Sequence, residues 1–331
     1  MSGQTVLVTG ASGMLGGAVA RTLRDRGDRV RAFQRRPAGI DGVEDVTGSL
    51  TDREDVLRAV DGVDAVVHLA AKVGISGAES HFREVNIGGT ENLVEAMRAQ
   101  GGGRLVNISS PSVAHLGRAI VGLDATPADP ERARGPYART KAAAELLAMR
   151  ADGQDGMLVT SVRPHIVWGP GDTQLVGRIV DRARAGRLPL LDDGMALIDT
   201  TYVDNAADAI VAALDRIDDV HGESFVVTNG EPRTVRDVFA GWCDAAGVPH
   251  PRLRVPGALA RVAGRIVEKV WEIRPGEDEP PMTEFLAEQM STAHWFDQRR
   301  TRERLNWTPR VSLDEGFAEV AEWYRQRPQL V

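Results

Sequence analysis

Thiols are almost missing from this chain of 331 residues, in which Cys243 is the one cysteine. No intramolecular disulfide can form, and such sparse use fits a reducing compartment, so a cytoplasmic location is expected. Excess positive charge is missing too. The formal net charge is −7, whereas a nucleic-acid partner asks for a basic field, so none is expected. No apolar run approaches the roughly 20 residues that span a bilayer. The opening run "QTVLVTG" is strand-like and shows neither the basic nor the apolar region of a signal peptide. The seven histidines show no metal-ligand spacing. His68 reads as a strand position and His294 as a helical or loop one, so no metal is expected. Repeats and low-complexity tracts are absent.

What is there is an ordinary globular composition, 42% hydrophobic and 26% charged, laid out in alternation. "TVLVTG" precedes "MLGGAVARTLRDRG", and "RVRAF", ending at Phe33, follows. "DAVVHLA", "HFREVNIGGTENLVEAMRAQG", "GRLVNIS", a helix after "YARTK", and "LVTSVRP" continue the series. Apolar strands alternating with helices imply a parallel sheet covered on both faces. "RRPAGIDG" is too short for a full helix and reads as a shortened crossover. After Pro164 the pattern loosens. "WGPGDTQ" reads as a loop, "LVGRIVDRARAG" as a short helix, "GMALIDTTYV" and "ESFVVTNG" as strands, and Asp204 as the N-cap of "NAADAIVAAL". Beyond about residue 230 the chain reads as mostly helical, with proline-rich breaks at 249–256 and 275–281.

Gly10, Gly13 and Gly16 lie between the first strand and the first helix. The first glycine permits a tight turn, the second lets backbone approach a pyrophosphate, and the third lets helix and strand pack closely. The free N–H groups and partial positive charge of a helix N-terminus suit phosphates. The plain alternative is a tight turn with no ligand. Gln34, Arg35 and Arg36 follow the second strand, where an NAD enzyme usually places a carboxylate for the ribose 2′-hydroxyl. Two guanidiniums suit a 2′-phosphate instead. NADP(H) is therefore favoured, with NAD(H) the alternative, and Arg35 is preferred over Arg36 as the contact.

In "YARTK", Tyr137 and Lys141 stand four residues apart, about one helical turn, so both leave the same face. Alone, a surface pair is the plain reading. Four other features accompany it in order: the GxxGxxG loop after Thr9, "VVHLAA" at 66–71, Asn86 in "VNIGGTEN", and the serines of "VNISSPSV". Together, over roughly residues 4 to 230, they resemble the extended short-chain dehydrogenase/reductase family. The resemblance implies an α/β fold, a Rossmann-type doubly wound parallel sheet with a smaller, mostly helical substrate subdomain. Residues 1–165, with about 200–228 returning to them, would bind the dinucleotide; 166–199 and 229–331 would bind substrate.

The resemblance makes Tyr137 the acid/base, Lys141 its tuner and a ligand of the nicotinamide ribose, and Ser110 the holder of the substrate oxygen, with Ser112 as backup. A neighbouring ammonium favours the phenolate, so a lowered Tyr137 pKa is expected. The cofactor would meet Gly10, Ser12, Gly13, Met14, Leu15 and Gly16; Gln34, Arg35 and Arg36; Ser49 and Leu50; and Leu69, Ala70 and Ala71. It would also meet Asn86, Ile108, Ser109, Tyr137, Lys141, Pro164 and His165. Ser49 stands where the family's common Gly-Asp-Leu has its aspartate, which weakens the expected adenine contact.

Nucleotide-sugar epimerases and dehydratases carry a sugar-binding asparagine before the Gly-Pro of the sixth strand. Counting back from Gly169-Pro170 gives Ile166, which cannot bond a sugar hydroxyl. "SSPSV", "RPHIVWGPGDTQLVGRIVDRARAGRL" and "DTTYVDNAADAI" instead resemble the 3β-hydroxysteroid dehydrogenase branch, closest to sterol-4-carboxylate dehydrogenases and 2-alkyl-3-oxoalkanoate reductases. Ala114 and His115 depart from the Tyr-Gly often found there. An NADP(H)-dependent oxidoreductase acting on an apolar hydroxy/keto substrate is expected. A nucleotide-sugar epimerase or dehydratase is the alternative enzyme, and a non-catalytic dinucleotide-sensing protein is the alternative outside enzymes, although such relatives typically lose the tyrosine–lysine pair. The arginines of "RIVDRARAGR" read as a solvated helix face, with a carboxylate contact as the alternative. Leu259, Val262, Ile266, Val270 and Ile273 repeat at helical spacing. They read as a helix packing on the subdomain or covering the pocket, with a membrane-surface contact as the lesser alternative. "EDEPPMTEFLAEQMSTAHWFD" reads as a lid. By resemblance, helices near 81–100 and 137–150 would form a homodimer.

Overall fold

The computed structural model of the chain describes residues 3–74, 78–114, 118–273 and 283–327. Seven parallel strands form the main sheet: β1 Thr5–Thr9, β2 Arg29–Gln34, β3 Glu44–Thr47, β4 Ala65–His68, β5 Gly103–Ile108, β6 Met157–Pro164 and β7 Ser224–Val227. Their spatial order is β7-β6-β5-β4-β1-β2-β3. Every residue of β1 and β4 is buried, the signature of strands covered on both faces. Side chains alternate between two cores. Val6 and Val8 face one, with Val19, Leu23 and Ile210, while Leu7 faces the other, with Phe33, Leu93 and Leu105. Three helices serve the site: α1 Met14–Asp25, α2 Gly135–Arg150 and α3 Val176–Arg184.

The chain order reverses between β1 and β4, and the crevice outside the carboxyl ends of strands at such a switch point is where open α/β sheets bind ligands. No helix joins β2 to β3, in keeping with the short "RRPAGIDG" crossover. β2 runs one residue beyond Phe33, to Gln34.

Three details differ from expectation. "GMALIDTTYV" is not one strand. It holds two short bridges, Leu197–Ile198 and Thr201–Tyr202, which pair in different sheets; the break falls at Asp199 and Thr200, whose carbonyls meet His165 and the Asn229 amide. Asp204 is not an N-cap. The helix begins at Val203, after Tyr202, and the Asp204 carboxylate pairs with Arg310 at 3.4 Å. The stripe Leu259, Val262 and Ile266 does not pack inward; all three are more than half exposed. The Gly257–Ile273 helix instead packs through Ala260 and Gly264, where a β-carbon would lie 2.5 Å from the Thr283 backbone. The side chains of Val270 and Ile273, residues 275–281, and the first part of the suspected lid, 277–282, lie outside the described residues. Among the described residues, no helix is long and apolar enough to cross a membrane.

A second, four-stranded sheet joins stretches far apart in sequence: Arg233–Thr234, Leu197–Ile198, His294–Phe296 and Ile120–Leu123. His294 is thus a strand residue, not a helical or loop one.

Candidate active site

The chain turns at Gly10 with φ +77°, a left-handed value that suits glycine. A β-carbon there would approach the Ala70 Cα to 3.0 Å, so the loop 69–71 after β4 packs against the turn. A β-carbon on Gly16 would stand 2.3 Å from the Gly10 carbonyl oxygen, whereas one on Gly13 would meet nothing nearer than 3.5 Å. Space therefore remains above Gly13, at the start of α1, where no side chain caps the helix. This open cradle of uncapped amides fits a pyrophosphate. Ser12 is exposed there, and Met14, Leu15, Leu69 and Ala71 are half-buried. The Thr9 hydroxyl locks the two strand ends together, lying 2.8 Å from His68 Nδ1 and accepting from the Ala70 amide at 3.0 Å. Burial, and then the charge of Lys141, push His68 down to about 3, so the ring is neutral.

At the far end of the crevice, Arg35 and Arg36 follow β2 and are exposed. A carboxylate does stand close by, but from β3: Asp45 accepts from Gln34 Nε2 at 2.8 Å and from the Ala38 and Gly39 amides at 2.8 and 3.3 Å. The Gln34 Oε1 is buried and without a partner among the described residues. The Ser49 hydroxyl lies 2.8 Å from that of Thr51, and its amide donates to Asp55. Leu50 is buried beneath Gly89, where a β-carbon would be 2.9 Å from the Leu50 Cβ.

Asn86 sits in a π-turn, Arg83–Gly88, within the helical stretch 79–99, a distortion that often marks functional sites. Its side chain is fully engaged. Oδ1 accepts from the Lys72 amide at 2.7 Å, and Nδ2 donates to the Lys72 carbonyl and to Thr140 Oγ1, both at 3.1 Å. Asn86 thereby ties the loop after β4 to α2.

Pro136 lies in the first turn of α2, where proline is well tolerated. Tyr137, half-buried, follows, and its side chain shares the cavity wall with Ser110, just after β5. Ser112 Oγ donates to Ser110 Oγ at 2.9 Å. One turn along α2, Lys141 is 4% exposed and donates from Nζ to the Ile108 carbonyl at 2.6 Å. The next turn brings Glu145, held by Arg163 at 2.6 Å with both side chains buried. Ser109 is buried, its hydroxyl without a partner among the described residues.

The expected acidification of the phenol by Lys141 is not found. Burial raises the Tyr137 pKa, and only the bond to Ser110 draws it back. The reason is desolvation: removing a phenolate from water outweighs the attraction of an ammonium already committed to a backbone carbonyl. Burial acts on Lys141 as well, pushing it down to about 8 against the pull of Glu145.

Tyr137, Ser110 and Ser112 open on a cavity of about 380 Å³, to which Pro164, His165 and Ile166 also contribute. Apolar side chains, among them Ile179, Phe239, Trp242, Met290 and Phe296, form most of its wall. His165 Nδ1 meets the Asp199 carbonyl at 2.5 Å, and its ring stands edge-on to His294 at 5.0 Å. Ile166 has φ +44°. For a β-branched residue this is a strained conformation, costing roughly 1–3 kcal/mol, which asparagine tolerates far better. The backbone keeps a shape suited to asparagine while the side chain presents hydrocarbon to the cavity.

The structure brings together the glycine loop, Leu69–Ala71, Ser110, Tyr137, Lys141, Pro164 and His165. It leaves Arg35 and Arg36 at the outer end. The segment expected as a lid supplies Met290, His294 and Phe296 to the cavity wall, while sequence reasoning did not single out Ile120, Phe239 or Trp242. The only signal of these last three was an apolar character shared with any core.

The profile of the NAD dependent epimerase/dehydratase family matches residues 6–228. A 2-alkyl-3-oxoalkanoate reductase of Stenotrophomonas maltophilia is 41% identical over 95% of this chain and 98% of its own length. A 3-beta-hydroxysteroid dehydrogenase of Mycolicibacterium neoaurum is 30% identical over 96% and 91%. Among solved structures, gox2253 is similar with a TM-score of 0.80 and 26% identity, covering 98% of each chain. MoeE5 in complex with UDP-glucose and NAD has a TM-score of 0.74 and 25% identity, covering 98% of this chain and 99% of its own.

Proposed function

The chain belongs to the NAD dependent epimerase/dehydratase family and is an oxidoreductase of that family acting on CH–OH groups, and on this premise we propose that it uses NADP(H) to interconvert an apolar ketone and its secondary alcohol. The observation that carries the reading is Tyr137 beside Ser110 and Ser112 in the wall of a largely apolar cavity of about 380 Å³.

A bound nicotinamide supplies or takes the hydride. The rest belongs to the chain. In reduction, Tyr137 gives its hydroxyl proton to the substrate oxygen as that oxygen gains charge. Ser110 holds the same oxygen beside the phenol, and Ser112 supports Ser110. Lys141 keeps a positive charge behind the pair and would bond the cofactor ribose. A raised phenol pKa keeps the proton on Tyr137 at neutral pH, which suits reduction better than oxidation. Gly10, Gly13 and Gly16 would cradle the pyrophosphate. Arg35 and Arg36 would take the 2′-phosphate, since Asp45, the neighbouring carboxylate, is committed to Gln34 and two backbone amides.

The two curated relatives are named for 2-alkyl-3-oxoalkanoates and 3-beta-hydroxysteroids, carbonyl or alcohol compounds with large hydrocarbon parts, the first of them ending in a carboxylate. Ile166 supports such a substrate over a nucleotide sugar. The homodimer and the cytoplasmic location rest on resemblance and composition, and belong to this proposal.

The test is NADPH consumption with a 2-alkyl-3-oxo acid, a 3-oxosteroid and an aryl ketone, with NADH in parallel and UDP-glucose in a melting assay. Apolar ketones should consume NADPH faster than NADH, and UDP-glucose should leave the melting temperature unchanged. Stabilisation by UDP-glucose, with no ketone consumed, would put the epimerase reading in its place.

A further inference from the structure

Resting on the oxidoreductase reading, we propose that Glu145 is a further positioning residue for the reaction: gripped by Arg163, its carboxylate keeps the buried Lys141 ammonium charged and so sets the alkaline limit of turnover.

Tyr137, Lys141 and Glu145 fall at i, i+4 and i+8 of α2, on successive turns of one face. Lys141 is 4% exposed and Glu145 2%. Arg163, on β6, is also 2% exposed. Its Nε donates to both Glu145 oxygens, at 3.2 and 3.0 Å, and its Nη2 donates to Oε1 at 2.6 Å. From β7, the Ser224 hydroxyl donates to the same Oε1 at 3.0 Å. Donors from two strands thus hold the carboxylate in one orientation, a helical turn from the ammonium. The remaining arm of the guanidinium, Nη1, donates to the Thr126 carbonyl at 2.6 Å.

Stability alone is a weak reason for such a cluster, because well-packed apolar side chains in place of a buried ion pair hold a fold about as well. Charge balance is a better one. Lys141 and Arg163 are two cations withdrawn from water, and Glu145 acts on both. Without it, each would keep only a backbone carbonyl, Ile108 for Lys141 and Thr126 for Arg163. A carbonyl dipole offsets less of the cost of burying a charge than a carboxylate does.

Other elements packed around Lys141 bring it no second anion among the described residues. His68, from β4, is neutral. On the stretch 79–99, Asn86 is uncharged, Glu79 pairs with Arg139 at 2.7 Å, and Arg83, Glu84, Glu91 and Glu95 are exposed. Ser110 and Ser112, after β5, carry no charge, and burial keeps the Tyr137 phenol protonated. Burial brings Lys141 down to about 8, and Glu145 is what opposes that fall. The sign follows: with the carboxylate gone, the ammonium loses its proton at a lower pH than 8.

The chain holds three lysines, Lys72, Lys141 and Lys269, so labelling lysine with ¹³C at Cε isolates their NMR signals, and Lys141→Arg identifies the one from Lys141. In the wild type that signal should titrate near 8. In Glu145→Gln it should titrate lower by about one pH unit or more, the size expected for loss of a nearby opposite charge. Glu145→Gln leaves the Arg163 guanidinium buried and unpaired, which threatens folding, so Glu145→Gln/Arg163→Met removes the whole pair and keeps the core neutral. The double variant should show the same downward shift, which a merely structural role would not produce. The pH at which kcat/KM for ketone reduction declines should fall in step. An unmoved Lys141 titration in the double variant, or a turnover limit that stays near 8 while the lysine moves, would overturn the proposal. A lowered lysine titration with no ketone reduced at any pH would support the hold of Glu145 on the charge while overturning the oxidoreductase reading, so the two failures stay distinct.

Discussion

A phenol in water titrates near ~10, and burial in this cavity moves Tyr137 further up, opposed only by its bond to Ser110. Lys141, one turn along, moves the other way, to about 8. The sign of the pH dependence follows. Tyr137 stays protonated through neutral and mildly alkaline pH, so the proton donor for reduction does not fail there. Lys141 loses its charge first, as pH rises through about 8. Ketone reduction, followed as kcat/KM for NADPH from pH 6 to 10, should therefore hold steady at low pH and decline with an apparent pKa near 8. A profile that stays flat to pH 10 would show that the lysine charge is dispensable. Both residues were legible in the sequence because helix geometry puts them on one face and the family resemblance gives that pair a role. Their ionisation was not, because it depends on how much water the fold removes.

At the scale of elements, the glycine loop gives the sharpest contrast. Gly16→Ala would press a methyl group to within 2.3 Å of the Gly10 carbonyl, and such overpacking costs roughly 1–3 kcal/mol. Gly13 has φ −84° and open space above it, so Gly13→Ala should leave the apo melting temperature nearly unchanged. It should nonetheless weaken NADPH binding by about tenfold, or 1.4 kcal/mol, by occupying the pyrophosphate's room. Melting curves with and without NADPH separate the two effects, and an unchanged NADPH shift in Gly13→Ala would contradict the cradle. The parallel strands could be read in advance because β1 and β4 are continuous apolar runs. "GMALIDTTYV" misled because period and propensity could not show that Asp199 and Thr200 leave the ladder, their carbonyls engaged by His165 and the Asn229 amide. Asp204 misled because an acidic residue near a helix start suits the cap and the first turn alike.

Across the whole molecule, the crevice at the sheet's switch point and the cavity beside it have different origins. The crevice comes from consecutive strand–helix units, and its residues stand in sequence order from Gly10 to His165. The cavity closes only when stretches near 120, 197, 233 and 294 pair into a second sheet. No local pattern announces such pairing, which is why His294 and Phe296, expected in a lid, were not foreseen as a strand. Ile166 joins the two regions, a strained residue at the end of the sixth strand that turns a place suited to asparagine into hydrocarbon wall. The account as a whole rests on one proton donor serving both regions. The most direct measurement is therefore turnover of Tyr137→Phe with NADPH and an accepted ketone, alongside an NADPH binding titration. The account predicts a fall in kcat of about 10²–10⁴-fold with cofactor affinity within about a factor of two, or roughly 0.4 kcal/mol. Turnover that survives with the hydroxyl removed would contradict it.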